Sequence, residues 1–304
     1  MVTGKVVNGP TRRPVAGGWV VLHHVGMEGK GGPVDSMRTA GDGSYRFTIA
    51  KVDTGAMYVA SSWYHGIAYF SEPVPANRGE AVSLQPIMVY DTASSGPPIR
   101  LQRRLVTVAR PDKHDGTRPV LELLALENST PVTRITNDTV HPTWSGAIPA
   151  GVVQFQPGQG DISAEAIFLR GPASDTVAVF GPIPPGEAKQ LSYSYIVPAT
   201  FQEIAIPIDQ PTGELDLLLE DTTARVAAPN VQSDGIQSIE QRRFASYRIP
   251  SLPPAAGVIV SFPKNRFSAQ ALIPYVVALL AVALVLGLVL ALKKRPVAAE
   301  ERGS

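Results

Sequence analysis

Side chains able to act as nucleophile, base or metal ligand are few in this chain of 304 residues, and they are scattered. There is no cysteine to serve as a nucleophile or thiolate ligand, and there are only five histidines. No H-E-x-x-H, G-x-S-x-G, phosphate-binding P-loop or EF-hand loop occurs. His23 and His24 are adjacent in a strand-like run, so alternation sends them to opposite faces and they cannot chelate one metal together. No residue is therefore assigned a catalytic, cofactor-binding or metal-ligating role, and the expectation is a non-enzyme with no cofactor. A hydrolase in the second half would require the fold to bring a histidine and a carboxylate together in a cleft.

The second kind of chemistry is recognition. Trp63-Tyr64-His65-Gly66-Ile67-Ala68-Tyr69-Phe70 is the most aromatic stretch of the chain. Rigid rings offer large contact area, so Trp63, Tyr64, His65, Tyr69 and Phe70 are candidates for a sugar platform or a protein docking site. The competing reading is a strand pair with alternate rings in the core. Trp144 follows His141-Pro142 in a loop-like segment and is a candidate interface or membrane anchor, with core packing as its competing role. Asn128-Ser129-Thr130 and Asn137-Asp138-Thr139 match the glycosylation triplet, which is common by chance.

These residues must be positioned by the elements around them, and one stretch governs the layout. Ala271–Leu292 is 22 residues without a charge. As a helix it would reach about 33 Å, enough for a hydrocarbon core about 30 Å thick. A single transmembrane helix is expected, with Pro274 in its first turn and Tyr275 at interfacial depth. Lys293, Lys294 and Arg295 follow at once, which places the tail in the cytoplasm and the bulk on the periplasmic or extracellular side. Met1-Val2-Thr3-Gly4 opens directly in a strand pattern, so a leader missing from this numbering is expected, with a tail-anchored protein as the alternative. Within the span, Ala283, Gly287 and Ala291 form a small-residue stripe on which another helix could pack closely. The expected partners are the lipid bilayer and other membrane-protein subunits.

Outside the span and tail, 23 basic residues stand against 24 acidic ones. That balance excludes nucleic acid, which requires a basic stripe. Gly and Pro together make 55 of the 304 residues, well above the average of about 12 %. Short apolar runs between so many turn formers indicate an all-β protein.

Residues 1–91 contain β-type runs at Val2–Val7, Trp19–His24, Tyr45–Ile49, Met57–Trp63 and Ala81–Tyr90, with an Asp42-Gly43 hairpin signal. Alternation puts Trp19, Val21 and His23 on one face and Val20, Leu22 and His24 on the other. The succession Val2-Thr3-Gly4-Lys5-Val6, Arg13-Pro14-Val15-Ala16-Gly17-Gly18-Trp19-Val20-Val21-Leu22 and Arg38-Thr39-Ala40-Gly41-Asp42-Gly43-Ser44-Tyr45-Arg46-Phe47 resembles the carboxypeptidase regulatory-like, or transthyretin-like, domain family. Gly18 stands where that family usually has Ala. The resemblance implies a Greek-key β-sandwich without catalysis, used as a spacer, folding aid or docking surface.

Thr92–Pro98 reads as a linker, polar and closed by Pro-Pro. Residues 99–263 carry about ten further strand-like runs, among them Val120–Glu127, Ile162–Leu169 and Ile236–Arg248, and no helical period, so a second, larger β-sandwich is expected there. A tether at 264–270, the helix at 271–292 and a basic tail at 293–304 complete the expected architecture: two Greek-key, immunoglobulin- or transthyretin-like sandwiches followed by one transmembrane helix. The expected function is that of a non-catalytic, single-pass accessory subunit docking on a larger membrane complex, for which a respiratory or photosynthetic assembly is a plausible host. The alternative is a surface module that binds carbohydrate, peptidoglycan or protein.

Overall fold

Alternating burial defines the strands of the computed structural model, which describes residues 1–26, 31–49, 56–75, 81–198 and 200–262. The first group is β1 (Val2–Asn8), β2 (Trp19–Gly26), β3 (Gly31–Arg38), β4 (Ser44–Phe47), β5 (Ala56–Tyr64), β6 (Ile67–Phe70), β7 (Val74–Pro75), β8 (Val82–Ser83) and β9 (Ile87–Val89). Then come β10 (Thr92–Ala93), β11 (Arg100–Val108), β12 (Arg118–Glu127), β13 (Thr133–Arg134), β14 (Trp144–Ile148), β15 (Val153–Pro157), β16 (Ala166–Leu169), β17 (Asp175–Val179) and β18 (Lys189–Val197). The last are β19 (Glu203–Ala205), β20 (Thr212–Leu219), β21 (Arg225–Ala227), β22 (Gln232–Ile239), β23 (Arg242–Leu252) and β24 (Ile259–Ser261). Among the described residues the one helical element is the 3-10 turn Ser163–Glu165. The described residues are all-β, as the composition indicates.

The N-terminal strands make two sheets. One has the order β4-β1-β8, with β9 also on β1, and the other has the order β3-β2-β5-β6, with β7 on β5. Their inner faces meet in a neutral core that includes Val6, Val20, Leu22, Phe47, Tyr58 and Ile87. The β3–β4 connection turns at Gly43, whose φ of 76° a side chain would resist. Asp42 fixes that turn by accepting hydrogen bonds from the Ser44 hydroxyl at 2.6 Å and the Ser44 amide at 3.1 Å. The same bonds, the hydroxyl first, hold its pKa down at about 2.

The C-terminal strands centre on a seven-stranded sheet of order β15-β18-β12-β11-β20-β23-β22. Its ladder is antiparallel except for β11 and β20, which run parallel from Leu101↔Thr212 to Val108↔Leu219. Two three-stranded sheets, β14-β17-β16 and β19-β24-β21, complete this half. Its interior holds a buried ion pair: Arg104 Nε and Nη2 donate to the two Glu122 oxygens at 2.8 and 3.1 Å. Tyr193 and Tyr195 donate their hydroxyls to the same carboxylate at 3.0 and 2.7 Å, and Arg104 Nη1 donates to the Pro207 carbonyl at 2.9 Å. Burial first, and then the Glu122 charge, raise both phenols well above their usual pKa.

Three expectations change on the structure. Ile236–Arg248, read as one strand, is the hairpin of β22 and β23, turned at Glu240 and Gln241 with φ of 47° and 66°. Two successive positive φ values make the turn that suits a hairpin twist, here without the glycine that usually announces it. Ile162–Leu169 opens as the 3-10 turn and becomes a strand only at Ala166. The segment read as a linker, 92–98, starts as a strand, because Thr92 and Ala93 pair in parallel with Thr133 and Arg134.

Met1–Ser261 form one compact unit. The tether at 264–270, the expected helix at 271–292 with Ala283, Gly287 and Ala291, and the basic residues Lys293, Lys294 and Arg295 lie outside the described residues. Among the described residues no helix is long and apolar enough to cross a membrane.

Candidate functional site

Pairing between β2 and β5 sets Val20 against Ser62, Leu22 against Ala60 and His24 against Tyr58. Val20, Leu22, Ala60 and Tyr58 are all buried, so this set faces the core and the alternate set faces outward. Trp19, His23 and Val25 on β2 thus share the outer face with Met57 and Trp63 on β5 and Phe70 on β6. The three outward rings are among the most exposed large apolar side chains: Trp19 48 %, Trp63 58 % and Phe70 61 %. Continuing the register one step beyond Val20↔Ser62 sets Trp19 beside Trp63. Trp63 opposes Ala68 and Ser61 opposes Phe70, so Trp63 and Phe70 are diagonal neighbours. The rings therefore form a row across three strands.

The two outer rings of that row have fixed neighbours. The Arg38 guanidinium lies 4.6 Å from the centroid of the Trp19 ring and donates from Nη1 to the Gly17 carbonyl at 2.7 Å. His23 shares a hydrogen bond with Ser61 at 2.8 Å, and its ring stands 6.3 Å from that of Phe70. No outward position of β2, β5 or β6 carries a carboxylate. Rings held by neighbours lose little entropy on contact, and a face without carboxylates is cheaper to desolvate.

Not every ring expected on this surface is there. Tyr69 is only 7 % exposed, because in the four residues of β6 it falls on the inward step. Its hydroxyl donates to the Tyr90 carbonyl at 3.1 Å and shares a bond with Thr133 Oγ1 at 2.7 Å. Tyr64 is half-buried, donating to Asp91 Oδ1 at 3.0 Å, with its ring stacked on His65 at 4.2 Å. His65 itself is exposed, with φ 50° in the β5–β6 turn, and its Nδ1 is 3.7 Å from Asp91. Tyr64 and His65 thus belong to the turn and not to the row of rings. Trp144 is also withdrawn from the surface: it opens β14 at 5 % exposure, and its indole N–H donates to Gln210 Oε1 at 3.0 Å. In place of these come Trp19 and Met57, which the aromatic count overlooked. Alternation had already grouped Trp19 with His23, but which face was outward needed the second sheet.

A histidine and a carboxylate do meet on a cavity wall, at His141 and Asp138. His141 Nδ1 is 2.8 Å from Asp138 Oδ2, while Oδ1 accepts from the amides of Val140 at 2.8 Å and His141 at 2.6 Å. The bonds from His141, backbone first, hold Asp138 down at about 2. They close a local loop, and among the described residues no hydroxyl is hydrogen-bonded to the other ring nitrogen of His141. No group of three or more His, Asp or Glu among the described residues is placed to hold a metal.

No protein-family model matches the chain, and no curated protein matches its sequence. Among solved structures it is similar to the M1 zinc metallopeptidase from Deinococcus radiodurans, at TM-score 0.34 and 11 % identity over 54 % of this chain and 42 % of that one. A variant of a two-domain M1 zinc metallopeptidase bound to L-tryptophan gives TM-score 0.32 and 12 % identity, over 58 % of this chain and 44 % of that one. The chain thus spans less than half the length of these structures. Scores this low carry no argument about activity.

Proposed function

We propose that this is a non-catalytic accessory protein, anchored in the membrane by residues 271–292, which docks a partner protein through the outward face of β2, β5 and β6. The observation that carries the reading is the row of Trp19, Trp63 and Phe70, three exposed rings in register on one carboxylate-free face. Aromatic anchors with an Arg at the margin are the composition of protein docking hot spots. In this reading the bulk of the chain stands on the periplasmic side, and the helix contributes a second contact through Ala283, Gly287 and Ala291.

The test is a pull-down of the full-length protein from its native membrane in mild detergent, beside a Trp63→Ala, Phe70→Ala double variant. A stoichiometric membrane subunit recovered with the parent and lost with the variant supports the reading. Recovery of the same subunits by both sinks it. A second reading, a carbohydrate or peptidoglycan platform, is favoured by the linear arrangement of the rings, against which sugar faces could stack. Its test is binding to peptidoglycan fragments, which Trp63→Ala must abolish.

A further inference from the structure

Among the described residues, the buried charged side chains of the C-terminal half each have an ionic partner with one exception. Arg104, fully enclosed, meets Glu122, two phenols and carbonyl oxygens, and Arg242 is joined to Glu220. Arg134, on β13, is enclosed as well, at 8 % exposure. Its backbone is bonded to Ile183 by two hydrogen bonds of 3.0 and 2.9 Å, which fixes the point from which the side chain enters the interior. Yet its side chain makes one hydrogen bond, from Nη2 to the Pro97 carbonyl at 2.8 Å, and Nε is buried without a partner. No carboxylate among the described residues forms an ion pair with it. A guanidinium withdrawn from water without a counter-charge is strongly unfavourable.

The same neighbourhood holds a second orphan. Thr143 is 9 % exposed and its Oγ1 also lacks a partner. Arg134 and Thr143 both line a cavity of about 250 Å³, together with Ser94, Thr136, Asn137 and His141. Asp138 is also on the wall, but it is turned to His141 and the Val140 amide and makes no ion pair with Arg134. Two enclosed donors without acceptors on one small polar cavity are complementary to an acceptor-rich anion.

We propose that this cavity binds a small oxyanion of phosphate or carboxylate type, held by the Arg134 guanidinium and the Thr143 hydroxyl. Its volume lies below the usual range for drug-sized ligands, so the anion is free or is the terminal group of a larger molecule whose remainder stays outside. Ser94 and Pro97 come from the segment leaving the N-terminal sheets, while Arg134 and Thr143 belong to the C-terminal ones. Occupancy would therefore fasten that crossing segment to the second half.

The test is thermal unfolding and titration calorimetry of the full-length protein in mild detergent, with inorganic phosphate and, separately, acetate as probes. Sodium chloride at matched ionic strength separates site binding from general salt effects. The expected result is a saturable rise in midpoint with phosphate or acetate and none with chloride, and which of the two probes is tighter assigns the geometry of the anion. Thr143→Val should weaken binding about tenfold, the cost of one hydrogen bond to a charged partner, and Arg134→Gln should abolish it. Equal midpoint shifts with chloride, absence of saturation with both probes, or parental affinity in Thr143→Val would each overturn the proposal. Should Arg134→Gln fail to fold, Thr143→Val decides alone.

Discussion

The two halves of the folded unit distribute aromatic rings and charge in opposite ways. In the N-terminal half the interior is neutral and the rings of Trp19, Trp63 and Phe70 stand outside. In the C-terminal half two tyrosines are sealed inside around Arg104 and Glu122, and the outer surface carries a charge ladder. There Arg103 Nη2 bridges Glu214 at 2.8 Å and Asp216 at 3.0 Å, and Arg248 reaches Asp234 at 3.2 Å. Leu121 and Leu123 are the exposed apolar residues on the neighbouring β12. A charged lattice remains hydrated at little cost, whereas uncharged rings gain by leaving water. The difference teaches that one half meets solvent with a charged lattice and the other with uncharged rings, the feature on which the proposed docking role rests.

The largest effect is expected from breaking the buried pair. Glu122→Leu leaves Arg104 enclosed without its counter-charge and should destabilise the fold by about 3–5 kcal/mol in urea unfolding. Combining it with Arg104→Met should restore most of that loss, because two apolar groups of similar volume can replace an ion pair. If the double variant is no better than the single, the interior is not organised by charge and the comparison fails. The same network sets an alkaline limit. Tyr193 and Tyr195 have raised pKa values in the folded state, so their contribution is complete below the ordinary phenol value of 10.0 and is lost as pH rises beyond it. An unfolding midpoint that is flat across this range in the parent would contradict that assignment.

Next in size is the outer face. Trp63→Ala with Phe70→Ala should reduce partner affinity by about 700-fold, since central hot-spot residues are each worth about 2 kcal/mol or more. The urea midpoint should hardly move, because truncating exposed side chains changes stability by about 0.5 kcal/mol or less. A large loss of stability would make these rings structural. Arg38→Ala should have a smaller effect, about 0.5–1 kcal/mol, through loss of the cation over Trp19, visible as a change in Trp fluorescence and a few-fold loss of partner affinity. The smallest effect is acid-linked. Asp42 and Asp138 are held at about 2 against an ordinary 3.8, so their contribution is present above 3.8 and is lost as pH falls towards 2. Asp42→Asn should flatten that part of the pH–stability curve.

Much of this arrangement is legible in the residues alone, and the rest is hidden for definite reasons. The runs at 2–7, 19–24 and 120–127 coincide closely with β1, β2 and β12, because period-two burial is local information. The β22–β23 turn escapes because Glu240 and Gln241 adopt positive φ without glycine, a conformation decided by the strands on either side. The row of rings is half legible: Trp63 and Phe70 come from one aromatic stretch, whereas Trp19 joins them only through a ladder closed across some forty positions of chain. Glu122 sits mid-strand between Leu121 and Leu123, so its partners, Arg104 and two tyrosines, become visible only when β11 and β18 flank β12. Arg134 and Thr143 are unremarkable in the sequence, since lack of a partner is a property of three-dimensional surroundings.

The short parallel pairing of Thr92–Ala93 with Thr133–Arg134 has a mechanical consequence. Where the sequence reads as a linker closed by Pro-Pro, backbone bonds from Thr133 to Asp91 at 2.7 Å and from Ile135 to Ala93 at 3.0 Å make a weld, reinforced by the Tyr69–Thr133 hydroxyl contact. A pull applied to the aromatic row then loads these bonds in shear and passes into the C-terminal sheets as a torque, with little slack to absorb it. A cargo seated on that row would be held at a fixed angle to the seven-stranded sheet.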